Sequence, residues 1–216
     1  MGEPGSWVLK DVRFLNIPQE FGPGLADPNV VLLPDGKLRL FVSGFRPGPG
    51  GLISNGAYSF ISTDGGFTFT FEGLRYNDIL DPENYRFNDT IWQIFTGGPK
   101  GHAISIDGGN TFQSLGFFKP PPFNGVVHEI AVTEKPGEFR AYVSDTMGIK
   151  SFISVMPPWT TWTEEPGYRL RLDSTTGLES CEVAVPSVLK LGPANYLMIY
   201  LTVFPGCGCE EDPYCH

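Results

Sequence analysis

The chain repeats itself, and no other feature restricts its fold as much. The segment from Asp27-Pro28-Asn29 to Phe41-Val42-Ser43-Gly44 lies without a gap over that from Asp81-Pro82-Glu83 to Phe95-Thr96-Gly97-Gly98, an offset of 54 residues from position 27 to position 81. A weaker third copy, Phe139 to Ser144, matches Leu38 to Ser43 at an offset of 101, and a fourth runs from Val185-Pro186 to Thr202. Each copy reads strand, turn, strand: an apolar run, a turn such as Pro34-Asp35-Gly36, then an alternating run. A fixed period of this length marks a chain of stacked supersecondary units, none able to bury its own apolar face alone.

A second motif follows the first two hairpins. Ser62 to Phe69 and Ser105 to Phe112 both fit S-x-D-G-G-x-T-F, 43 residues apart from 62 to 105. Asp64 and Asp107 can accept backbone N–H groups within such a turn, the glycines permit positive φ, and the aromatic fills the core beneath. Ser151 to Trp162 is a degenerate third copy without the Asp or the glycines. The hairpin offset exceeds the motif offset by 11, placing 11 extra residues between the second and third strands of the first unit, at Phe45 to Asn55.

Composition agrees with a turn-rich all-β chain. There are 27 Gly and 20 Pro against 39 charged residues, which argues against a helical bundle, while 17 Phe, 8 Tyr and 4 Trp suffice for a core. The net charge of −9 repels phosphate backbones and excludes nucleic acid as an expected partner. The longest apolar stretch, Tyr196 to Phe204, is too short for a membrane helix, which needs about 18 residues, so no membrane insertion is expected. Met1 to Trp7 shows no basic region followed by an apolar one, so no signal peptide is expected. Cys207, Cys209, Cys215 and His216 form C-x-C-x5-C-H, which matches no recognised zinc spacing and favours a disulfide, or cysteines whose partners lie elsewhere, over a metal.

The two S-x-D-G-G-x-T-F segments resemble Asp-boxes (BNR repeats), the hallmark of β-propellers of the sialidase superfamily. That resemblance implies four-stranded antiparallel blades, here about 26–73, 78–118 and 126–172, with a fourth over 181–204 supplying two strands. The alternating N-terminal run, 6–15, is expected to close the ring, giving about four blades or part of a larger propeller. In that family the box caps an outer hairpin, so Asp64 and Asp107 are expected to be structural. Sialidases also use three arginines against the substrate carboxylate, yet Asn16 stands where the family's early Phe-Arg-Ile-Pro has arginine.

The opening Ala26-Asp27-Pro28 also resembles the first blade of the five-bladed glycoside hydrolases of families 43 and 32. The resemblance implies Asp27 as base or nucleophile, Asp81 as a modulating carboxylate and Glu129 as acid, with Glu182 as its substitute. Paired carboxylates are what glycoside cleavage requires, one protonated and one ionised. His128 and Arg46 are candidate sugar contacts, and neither a metal nor an organic cofactor is expected. The expected function is a carbohydrate-active propeller, a glycoside hydrolase. The alternative is a non-catalytic Asp-box propeller that binds glycan or protein. No phosphate-binding glycine loop and no G-x-S-x-G elbow occurs.

Overall fold

The computed structural model describes residues 10–19, 21, 24–47, 53–96, 100–118, 126–173 and 182–203. Cys181, the C-terminal cysteine cluster and the segment 48–52 lie outside them. Among the described residues every regular element is a strand.

The first sheet holds β1 (Arg13–Leu15), β2 (Leu25–Leu32), β3 (Leu38–Pro47), β4 (Ile53–Ser62) and β5 (Thr68–Asn77), in the order β1-β5-β4-β3-β2. Strands β2 to β5 form an antiparallel up-and-down meander, the construction of a propeller blade. The second sheet is another, β6 (Glu83–Arg86), β7 (Trp92–Phe95), β8 (His102–Ser105) and β9 (Gln113–Gly116) in chain order. The third runs β10 (Val126–Val132), β11 (Phe139–Asp145), β12 (Gly148–Ser154) and β13 (Thr163–Glu164), with β14 (Leu170–Arg171) also paired to β12. The fourth consists of β15 (Glu182–Gly192) and β16 (Asn195–Val203).

The N-terminal run departs from the expectation that it closes a ring on the last blade. Arg13, Phe14 and Leu15 instead lie parallel to Thr68, Phe69 and Thr70, on the free edge of β5. Phe14 holds them there, its ring edge-on to Phe60 at 5.2 Å and stacked on Phe69 at 6.1 Å.

The 11-residue insertion also differs from a simple loop. Phe45, Arg46 and Pro47 pair with Asn55, Ser54 and Ile53, so part of it lengthens the hairpin. β3 and β4 have ten residues each, against four each in β7 and β8.

The chain divides into two compact units: residues 1–94 with 104–113, and residues 95–103 with 114–216. Alternation along the strands gives the first unit two apolar clusters. Leu40, Val42, Tyr58, Phe60 and Phe69 make one; Val31, Phe41 and Trp92 make the other, with Phe112 against it. The second unit buries Ala131, Tyr142, Ile149, Val183 and Val188 beneath Tyr196, Met198 and Tyr200. It also packs Phe95, Phe118 and Trp162 ring against ring, with centroids 5.7 to 6.1 Å apart.

The two S-x-D-G-G-x-T-F segments form the same turn, between β4 and β5 and between β8 and β9. Asp107 Oδ1 accepts the Ser105 hydroxyl at 2.7 Å and the N–H groups of Asn110 and Thr111 at 3.0 Å, while Oδ2 accepts the Thr111 hydroxyl at 2.6 Å. Asp64 repeats the core of this, accepting the Ser62 hydroxyl at 2.8 Å and the Thr68 N–H at 2.9 Å. Burial pushes the Asp107 carboxyl up, but the Thr111 and Ser105 hydroxyls and the backbone donors prevail and bring it down to about 2. The Asp64 carboxyl is likewise lowered, first by the Thr68 N–H and then by the Ser62 hydroxyl. Both aspartates are turn-builders.

Candidate functional site

The site begins with a backbone device that the repeats share. β2 and β3 pair at Ala26–Ser43 and again at Asn29–Phe41, so Asp27 and Pro28 together face the single residue Val42. Two residues against one is a β-bulge, which bends a strand and re-aims its side chains. Asp27 takes φ 53°, in the left-handed region. Asp81, at the same repeat position, has the same φ of 53°, and Val185 has φ 48°. The last belongs to an equivalent bulge, since β15 and β16 pair at Ala184–Leu201 and then at Ser187–Ile199. A non-glycine residue at positive φ before proline is a costly conformation, and strain of this kind collects at functional sites.

The third sheet keeps the register but not the conformation. Val126 pairs with Ser144 and Glu129 with Tyr142, which gives Val127 the place in β10 that Asp27 has in β2. One row of equivalent positions is therefore Asp27, Asp81, Val127 and Val185. Two residues on, a second row is Asn29, Glu83, Glu129 and Ser187. The carboxylate of Glu129 belongs to this second row. Glu182 belongs to neither; it pairs with Val203, three residues before Val185.

Within the first unit, the fold brings Asp27 and Asp81 into electrostatic contact. Asp27 is exposed and Asp81 half-buried. Burial raises the Asp81 carboxyl above its ordinary value, and the negative charge of Asp27 raises it further. The Asp81 backbone N–H donates to Ser43 Oγ at 2.8 Å, which fastens the start of the second repeat to buried Ser43 on β3. Beside the pair, Asn29 Nδ2 donates to Glu83 Oε2 at 2.8 Å, and Asn29 Oδ1 accepts the Asn84 N–H at 3.1 Å.

The second unit repeats that bridge. The Ser187 hydroxyl donates to Glu129 Oε2 at 3.2 Å, the Val188 N–H donates to the same oxygen at 3.4 Å, and Oε1 accepts the Ile130 N–H at 3.0 Å. Burial raises the Glu129 carboxyl, with these three donors opposing it. The neighbouring His128 is half-buried, its Nδ1 makes no hydrogen bond, and burial lowers its pKa to about 4, so the ring is neutral near pH 7. Arg46 lies on β3 opposite Ser54, with its side chain outside the described atoms. Among the described residues no group of three or more His, Cys, Asp or Glu side chains is arranged to hold a metal ion.

Asn29, Glu83, Ser43 and Ser187 were not singled out from the sequence. The signal was there for two of them, because Asn29 and Glu83 sit at matched positions two residues after the aligned aspartates. Two arginines, by contrast, are committed to structure. Arg39 holds Glu72 through two bonds, at 2.9 and 3.1 Å, and Arg140 holds Glu165 through two, at 2.6 and 3.0 Å. In each case a serine, Ser59 or Ser151, also donates to the glutamate.

No family model matches the chain, and no curated protein sequence does. Solved structures do. A family 43 glycoside hydrolase from Bacillus licheniformis superposes with a TM-score of 0.59 at 12% identity, covering 86% of this chain and 38% of its own. An endo-arabinase from Bacteroides thetaiotaomicron gives 0.57 at 13% identity, covering 87% and 73%. An α-L-arabinanase from Penicillium chrysogenum, in complex with arabinobiose, gives 0.55 at 17% identity, covering 89% and 62%. At such identities the likeness is one of architecture: the chain has the β-propeller fold found in glycoside hydrolases.

Proposed function

We propose that this protein is a carbohydrate-active β-propeller that hydrolyses glycosidic bonds with carboxylates carried on the first strands of its blades. The observation that supports this most is the Asp27–Asp81 pair: two like charges at matched repeat positions, each at φ 53°, one raising the other. A folding device alone gains nothing from repelling carboxylates, whereas perturbed and strained pairs collect where chemistry is done. Asp27, facing solvent, is assigned as base or nucleophile and Asp81 as the carboxylate that modulates it. Glu129, raised by burial, is assigned as the acid that gives its proton to the leaving oxygen, with Glu182 as its substitute. His128 and Arg46 are assigned as sugar contacts. The arabinanases among the structural neighbours make pentose-based glycans the substrates to try first. The two aspartate turns support an Asp-box reading. Arg39 and Arg140 already hold glutamates, so a sialoside is the weaker candidate.

The test is hydrolysis of aryl α-L-arabinofuranosides, β-xylosides and a sialoside by wild type, Asp27→Asn, Asp81→Asn and Glu129→Gln. Pentoside turnover is expected in wild type, falling about 10³-fold in Asp27→Asn. Turnover of Asp27→Asn at the wild-type rate would overturn the assignment.

A binding module is the second reading. It is favoured by Val127 and Val185, which fill the equivalent positions without carboxylates, and by the donors already occupying Glu129. Calorimetric binding of an arabino-oligosaccharide by a wild type without turnover would select it.

A further inference from the structure

Resting on the reading of Asp27 and Asp81 as the working pair, we propose that Asn29 and Glu83 form a positioning clasp that fixes the separation of the two aspartates. The geometry is specific. Asn29 uses both ends of its amide, donating to Glu83 Oε2 at 2.8 Å and accepting the Asn84 N–H at 3.1 Å. Each clasp residue stands two positions after its aspartate, with a proline between them. Proline holds φ near −65°, so the link from clasp to aspartate has little freedom. At the other side Asp81 is fixed by Ser43, whose hydroxyl accepts its N–H at 2.8 Å. Movement of β6 relative to β2 at the clasp is thereby passed to the spacing of the carboxylates. Neither clasp residue need touch substrate; they act through the aspartates.

The second bridge, Glu129 with Ser187, supplies an internal control. It flanks Val127 and Val185, so breaking it loosens strands but moves no aspartate.

Four variants test the clasp. Asn29→Leu removes donor and acceptor without changing charge. Glu83→Gln keeps an acceptor for Asn29. Asn29→Asp with Glu83→Gln reverses the polarity of the bond while keeping one carboxylate and one amide. Ser187→Ala breaks the other bridge. The first readout is the ¹³C titration of the Asp81 carboxyl, with Asp27 the charge that acts on it from β2. Asn29→Leu is expected to lower the Asp81 titration as Asp27 moves away, the rise that burial causes remaining. Glu83→Gln and the reversed pair should keep it near wild type, and Ser187→Ala should leave it unmoved. The second readout is turnover of the best aryl pentoside. Asn29→Leu is expected to lose about tenfold or more in kcat with little change in KM, as for misplacement of reacting groups. The reversed pair should recover most of it.

An Asp81 titration unaltered in Asn29→Leu overturns the clasp. So does a Glu83→Gln variant without turnover, which would make Glu83 a group that meets the substrate. If wild type turns over no glycoside, the functional reading fails on its own, and the titration alone decides the clasp. Should Asn29→Leu fail to fold, the reversed pair decides: its Asp81 must titrate as wild type, and departure from that refutes the proposal.

Discussion

Gly109 shows how much a single hydrogen decides in this chain. It has φ +77°, and a Cβ built on it would lie 2.6 Å from the ring of Trp92, a side chain at the centre of the first unit's core. Gly36 also has positive φ, +82°, but its Cβ would meet nothing within 4 Å. Gly109→Ala is therefore expected to cost about 2–4 kcal/mol, combining left-handed strain with overpacking, whereas Gly36→Ala costs only about 1 kcal/mol. Urea unfolding of the two variants checks the contrast. Asp107 gives a pH prediction at the same scale. Its carboxyl is held at about 2 in the folded chain, below the 3.8 of a free aspartate, so its contribution is full above about 3.8 and is lost as pH falls through about 2. The acid-induced fall in Tm over that window should be smaller in Asp107→Asn than in wild type. These turn residues were legible in the sequence because their chemistry is local: a carboxylate, two glycines and two hydroxyls within eight positions. Glu129 was harder to place. Its assignment depended on pairing register, and the bulge at His128 shifts which residue faces which.

Strands and hairpins tell a similar story. Arg39 spans the first blade to reach Glu72 on β5 and also donates to the Gly108 carbonyl at 3.0 Å, in the turn after β8. With Arg39 only 9% exposed, Arg39→Met leaves Glu72 short of its strongest partner and Gly108 without its donor. The expected cost is about 2–4 kcal/mol, and adding Glu72→Leu should return at least half of it, because an apolar pair of similar volume often replaces a buried ion pair at small cost. Denaturant melts of the single and double variants measure both. The equivalence of Arg39 and Arg140 was readable from strand alternation, but their glutamates were not. Glu72 and Glu165 lie on other strands, and no sequence spacing announces a partner across a sheet. The long β3–β4 hairpin was half visible, its extra residues countable but their pairing hidden.

At the level of the molecule, charge and exposed apolar rows act together. Val30 and Leu32 on β2, and Leu189, Leu197, Ile199 and Leu201 on β15 and β16, are 43 to 62% exposed. A net charge of −9 at pH 7 keeps such surfaces apart, and the sequence pI is about 4.8. Solubility measured from pH 4 to pH 8 is expected to pass through a minimum near 4.8, with association detectable by light scattering there and absent at pH 7. The propeller architecture was legible because repetition writes each blade more than once. The partner of β1 was not, since parallel pairing to β5 joins residues about 55 positions apart and rests on the rings of Phe14, Phe60 and Phe69. The shared bulge carries one more consequence. Asp27, Asp81 and Val185 fill a single recurring socket, shaped by backbone before any side chain is chosen. A change of one codon then sets or removes a carboxylate at any of these places, with the backbone that aims it already in place.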